Sequence, residues 1–167
     1  CDAVTGIGSG QATLDALERD NLFVVPLDDH RQWYRYHHLF ADALRNHLRA
    51  TQPDILPVLH RRACDWYAAN SIPREAIRHA LAAEDYERAA DLIELIWQEM
   101  EANYASAAWI SQVQGLPEAV IQQRPVLCAG YGWTLLYRGE FAASERWFQC
   151  AEHGLKPDQR DMIRVAD

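Results

Sequence analysis

No apolar run in the 167 residues approaches the roughly 18–20 positions of a membrane-spanning helix, and no signal peptide is visible. Cysteine is sparse, four residues with no short spacing among them, which excludes a disulfide scaffold. Basic residues are outnumbered, 16 Lys and Arg against 24 Asp and Glu, for a net charge of −8. The deficit is uneven: residues 1–62 carry seven Arg and eight acids, residues 63–167 nine basic residues and sixteen acids. Polyanion binding needs clustered cations to displace counterions, so the second stretch is a poor nucleic-acid or membrane surface. No initiating Met opens the chain at Cys1 and no closing signal follows Val165-Ala166-Asp167, so it reads as a piece of something longer. Free thiols and the missing leader point to a reducing cytoplasm. What is present is apolar and aromatic: 49% hydrophobic residues, with six Trp, seven Tyr and four Phe. That content excludes disorder and, at this length, supplies a real core for one domain or two small ones.

Gly6, Gly8, Ser9 and Gly10 form an opening loop. No strand precedes it and no Lys-Ser/Thr follows, so it is not a phosphate cradle. A short helix is expected over about Gln11 to Asp20, with Ala12, Leu14 and Leu17 as its apolar stripe. The period then changes to a β-hairpin over about residues 22–36: the β-rich run Leu22 to Leu27, the polar turn Asp28-Asp29-His30-Arg31, and the alternating aromatic Gln32 to Tyr36. Pro26 lacks an N–H and belongs at a strand end or edge. A second helix, about His38 to Ala50, puts Phe40, Ala43, Leu44, His47 and Leu48 on one face. Helix, hairpin, helix is the ending of a winged-helix unit, here residues 1–50. Its first helix carries Asp15, Glu18 and Asp20 against Arg19, and phosphates would repel those carboxylates. A structural or regulatory role follows, not DNA reading.

From residue 53 to 167 the chain reads as helices joined by tight turns. Helices are expected over about Ile55–Asn70, Pro73–Ala83, Tyr86–Tyr104 and Ala107–Gly115, the last capped by Ser106. A short one begins at Pro117; others span Pro125–Gly139 and Phe141–Gly154. Tetratricopeptide-like helix pairs recur at about 34 residues. Gly132, Leu135, Gly139, Phe141, Ser144, Phe148 and Ala151 fit their small and large positions; twice that period back lie Cys64, Tyr67, Ser71, Pro73, Ala76, Ala80 and Ala83. The intermediate register, Gln98, Glu101 and Gln114, does not match. The fold class is therefore mainly α: a degenerate tetratricopeptide-like array preceded by a partial winged-helix unit with one hairpin.

His60 and Cys64 share a helix face but make only two of the three or four ligands zinc needs. His38 and Asp42, four apart, read as a helical hydrogen-bonded pair. No catalytic motif is present, and most of Trp97, Tyr104, Trp109, Tyr131, Trp133, Tyr137 and Trp147 read as interhelical packing. In tetratricopeptide register Val126, Ala129, Trp133 and Tyr137 face a concave groove, as do Arg61 and Asp65 on the earlier pair. That groove is the candidate site for a ligand or peptide.

Three runs carry a more specific signal: Leu14-Asp15-Ala16-Leu17-Glu18-Arg19-Asp20-Asn21-Leu22-Phe23-Val24-Val25-Pro26-Leu27-Asp28, then Trp33-Tyr34-Arg35-Tyr36-His37-His38-Leu39-Phe40-Ala41-Asp42-Ala43-Leu44-Arg45, then Leu59-His60-Arg61-Arg62-Ala63 through Trp66-Tyr67 to Glu75–Ala83. Together they resemble the large ATP-dependent, LuxR-type transcription activators of the MalT-like family, which are signal-transduction ATPases. The likeness is strongest over residues 14–83. The family order is a nucleotide-binding module, a winged-helix arm, a tetratricopeptide-like superhelix and a DNA-binding helix-turn-helix. The resemblance implies that these residues lack the ATP-binding loop and the DNA reader, that ATP or ADP belongs to the full-length protein, and that no chemistry resides here. It further implies that His37 touches the nucleotide's phosphates in the resting state, and that the superhelix receives a small-molecule inducer or a regulatory protein and supports self-association. Two rivals stand beside this reading: a free-standing peptide-binding scaffold, which would need a capping helix beyond residue 154, and a small metal or thiol enzyme, which would need a convergent His, Cys and acid cluster.

Overall fold

A computed structural model describes residues 2–99 and 107–154. Ten helices and one two-stranded antiparallel sheet occur among them. The expected ends beyond these bounds, including Tyr104, the Ser106 cap and the tail from Lys156 to Arg160, lie outside the described residues.

The winged unit comprises α1 (Asp2–Thr5), α2 (Gly10–Arg19), β1 (Val24–Pro26), β2 (Tyr34–Tyr36) and α3 (His38–Thr51). The opening glycine loop is closed by its own acid: the Asp2 carboxylate accepts the Gly10 N–H at 2.7 Å. The strands are shorter than expected, three residues each, with Val24 opposite Tyr36 and Pro26 opposite Tyr34. Their entry is set by Asn21 and Phe23, both at positive φ (53° and 59°), conformations that break an extended run. Their loop is organised by Asp28, whose carboxylate accepts the N–H groups of Gln32 and Trp33 at 2.9 and 3.0 Å.

The apolar face expected on α3 is covered only at its start. Phe23 and Tyr36 pack on Phe40, with ring centroids 5.2 and 5.8 Å apart. Ala43, Leu44 and His47 remain exposed. A two-stranded hairpin is too small to cover a fourteen-residue helix. Val24 is the one described residue before Ala63 that is buried.

The array comprises α4 (Ile55–Ala69), α5 (Pro73–Ala82), α6 (Tyr86–Glu99), α7 (Ala107–Val113), α8 (Glu118–Gln122), α9 (Pro125–Tyr137) and α10 (Phe141–Glu152). The helices α5 and α10 begin at residues 73 and 141, twice 34 apart. The period thus relates the first and last pairs; in the middle register side chains do not repeat. Bulk has been redistributed there. Trp97 on α6 and Trp109 on α7 pack at 4.7 Å, and Gly130 of α9 makes room, since a Cβ on it would lie 2.8 Å from the Trp109 ring. In the last pair the small residues do the work expected of them. A Cβ on Gly132 would sit 2.9 Å from the Phe148 ring, and the Ser144 hydroxyl donates to the Gly132 carbonyl at 2.9 Å. In the first pair the matching Cys64 and Ala76 are buried. The core runs continuously from Cys64, Ala76 and Ile77 through Ile93 and Trp109 to Leu127, Trp147 and Ala151.

Candidate functional site

The winged unit and the array meet directly. The short helix α1 lies against α4, and the Arg62 guanidinium donates to the Val4 carbonyl at 3.2 Å. Trp33, leaving the hairpin loop, meets Trp66 of α4 edge-on at 6.5 Å. From there aromatic rings continue into the first helix pair. Trp66 packs against Tyr67 at 5.1 Å, Tyr67 stacks on His79 of α5 at 5.4 Å and 13°, and His79 lies 5.1 Å from His60 of α4.

The two histidines are joined through their Nδ1 atoms at 2.8 Å. Arg78 has only donors and faces His79 Nε2 at 3.3 Å, so that nitrogen accepts. His79 therefore carries its proton on Nδ1 and donates it to His60, whose own proton sits on Nε2. An added proton on either ring would oppose a donor. Burial, reinforced by the positive Arg78, pushes His79 down to about 4, and burial with Arg78 and Arg49 lowers His60. Sequence reasoning paired His60 with Cys64 instead. Cys64 is buried, its thiol pushed up by burial, and no group of three or more metal-ligating side chains occurs among the described residues.

His37 stands at the junction of β2 and α3, as the residue preceding the helix, with its backbone N–H donated to the Phe23 carbonyl at 2.8 Å. Its imidazole does not cap the helix and is exposed, so it is not packed under α3. It stacks on His38 at 4.3 Å. The expected His38–Asp42 pair is replaced: Asp42 accepts from Arg45 at 2.8 Å.

The groove residues make separate sets of contacts. Arg61 and Asp65 point from α4 toward α6, at 3.7 Å from Asp85 and 3.8 Å from Arg88. Trp133 packs edge-on against Phe148 at 5.5 Å and lies 6.0 Å from Tyr137, which is 70% exposed. Phe141, at the same end, is 69% exposed. Val126 and Ala129 are buried and do not line a groove, because α9 is apolar all round and is enclosed by α6, α7, α8 and α10. Trp97, Trp109, Tyr131 and Trp147 pair within the core, as expected of interhelical packing.

Sequence reasoning missed a second tie. Arg124, just before α9, donates to Glu87 and Asp91 of α6 at 2.6 Å each and reaches Glu94 at 3.4 Å. Burial opposes its charge, but the carboxylates outweigh that and hold the guanidinium protonated. Glu94 is pushed up by burial, with Arg124 pulling the other way. The signal was available: three acids at i, i+4 and i+7 on one face of α6 call for a cation from another element.

Residues 1–56 match the family described as the MalT winged helix domain. The HTH-type transcriptional regulator MalT of Yersinia enterocolitica is 35% identical over 157 residues, 86% of this chain and 17% of the relative. That of Serratia proteamaculans is 30% identical over 166 residues, 98% of the chain and 18% of the relative. The serine/threonine-protein kinase PknK of Mycobacterium tuberculosis is 35% identical over 131 residues, 78% of the chain and 12% of the relative. The chain thus spans less than a fifth of the length of these relatives. No solved structure matches it.

Proposed function

This chain belongs to the MalT-like regulators, and from that premise we propose that it is their coupling segment. It joins the nucleotide state sensed at the winged arm to effector or partner binding on the helical array, and so to DNA-binding activity carried elsewhere in the full-length regulator. One observation carries the reading: the aromatic series from Trp33 through Trp66 and Tyr67 to His79, which joins the arm to the first helix pair through half-exposed rings. A displacement of the hairpin either carries α4 with it or breaks that contact.

The exposed His37 fits a contributing contact to the phosphates of ATP or ADP, not a complete site. The chain offers an uncommitted imidazole at this junction, and the glycine loop is already occupied by Asp2. The uncovered apolar residues Phe23, Val25, Leu27 and Leu39 supply a face for the nucleotide module to dock on. On the array, Trp133 and Tyr137 are the residues for a small-molecule inducer or regulatory protein, with Arg61 and Asp65 as a separate polar patch. The same array surfaces serve self-association. A transcription regulator and a protein kinase share this segment at 35% identity, which supports a portable regulatory role and assigns it no catalytic step. The reading places the protein in the cytoplasm; among the described residues no helix is long and apolar enough to cross a membrane.

His37→Ala in the full-length regulator is expected to change transcription measured without inducer. Unchanged basal output would contradict the phosphate-contact role.

A further inference from the structure

Two thiols face each other inside the last helix pair. Cys128 on α9 and Cys150 on α10 have sulfurs 3.1 Å apart. Cys128 is fully buried; Cys150 is reached from solvent at the edge of the pair. The same thiols also bond to the end of α8: Cys128 donates to the Ile121 carbonyl at 3.1 Å, and Cys150 to the Gln122 carbonyl at 3.5 Å. Cys64, by contrast, sits alone in the packing between α4 and α5.

We propose that Cys128 and Cys150 are a redox modification site, closing to an intramolecular disulfide when the protein meets a peroxide. The half-buried Cys150 sulfur, having lost its proton, attacks the peroxide; the O–O bond breaks, an S–OH group forms and hydroxide leaves to become water. The Cys128 sulfur then displaces the hydroxyl from Cys150, its thiol proton goes to the departing oxygen, and a second water is released. Two thiols are oxidised and one peroxide is reduced. The sulfurs need to close by only about 1 Å to reach disulfide bonding distance. Burial holds the Cys128 thiol protonated, which makes Cys150 the entry point and Cys128 the resolving partner. The product staples α9 to α10 and removes both S–H donors from the last carbonyls of α8. Those lie next to Arg124, the tie to α6.

The test treats the reduced protein with hydrogen peroxide and maps its peptides by mass spectrometry. The proposal expects a cross-linked pair containing Cys128 and Cys150, lighter by two hydrogen atoms and restored by a thiol reductant. Cys64 should remain alkylatable once the oxidised protein is denatured. Cys128→Ala should lose the cross-link and leave Cys150 trapped as a sulfenic acid, detected by a 1,3-dicarbonyl probe. Cys150→Ser should leave Cys128 unmodified. Cys150 carried directly to sulfinic or sulfonic acid with Cys128 still free, or disulfides only between molecules, would overturn it.

Discussion

His79 is held neutral by its neighbours, and this has a defined consequence for acid stability. Its folded value is about 4 against an ordinary 6.5. Below pH 6.5 the unfolded chain takes up a proton that the folded protein refuses until about pH 4, so stability falls with pH across that window and the loss levels off below it. His79→Gln should flatten the stability–pH slope between these limits, measured by denaturant midpoints at each pH; an unchanged slope would place the titration elsewhere. Gly132 shows the other residue-scale constraint. Gly132→Ala forces a methyl to within 2.9 Å of the Phe148 ring and should cost about 1–3 kcal/mol in an unfolding experiment. That position was legible in the sequence because the small and large residues around it follow the repeat. The His60–His79 contact was not: it joins two helices at a separation of nineteen residues, which no single-helix spacing reveals.

Four helices end in one device. After α2, α4, α5 and α9 the chain passes through a left-handed residue (Asn21, Ser71, Glu84 or Gly139), and the next N–H returns to a carbonyl five residues back. This is the Schellman closure, which favours glycine. Only Gly139 among them is glycine, so Ser71→Gly and Glu84→Gly should each stabilise the array by about 0.5–1 kcal/mol, read from thermal or denaturant unfolding. Arg124→Ala should destabilise by about 1–3 kcal/mol at neutral pH, and by less in acid, where protonation relieves Glu87, Asp91 and Glu94 of their mutual repulsion. An equal loss at all pH values would mean that Arg124 acts through packing alone. Helix starts were legible because Pro73 and Pro125 mark them and polar turns separate them. The middle repeat was legible only as an element. Its bulk is carried by Trp97 and Trp109, which pack on each other, so its side chains do not follow the 34-residue pattern of the outer pairs.

At the scale of the molecule, the winged-helix unit and the array were both readable, but their join was not. Trp33 and Trp66 belong to separate local patterns, and only the fold brings them together. Val126 and Ala129 were read as lining the groove and are buried, since helical register alone does not tell which face of α9 its neighbours bury. Trp133→Glu in the full-length regulator should abolish the inducer response while keeping the helical melt; loss of the melt would assign Trp133 to the core. Arm and array act through their aromatic contact. The most direct measurement is a double-mutant cycle, Trp33→Ala, Trp66→Ala and the pair, in the full-length regulator, reading transcription without inducer. Each single substitution is expected to shift the output, and the double variant to go no further than either. Independent, additive shifts, or no shift at all, would contradict it.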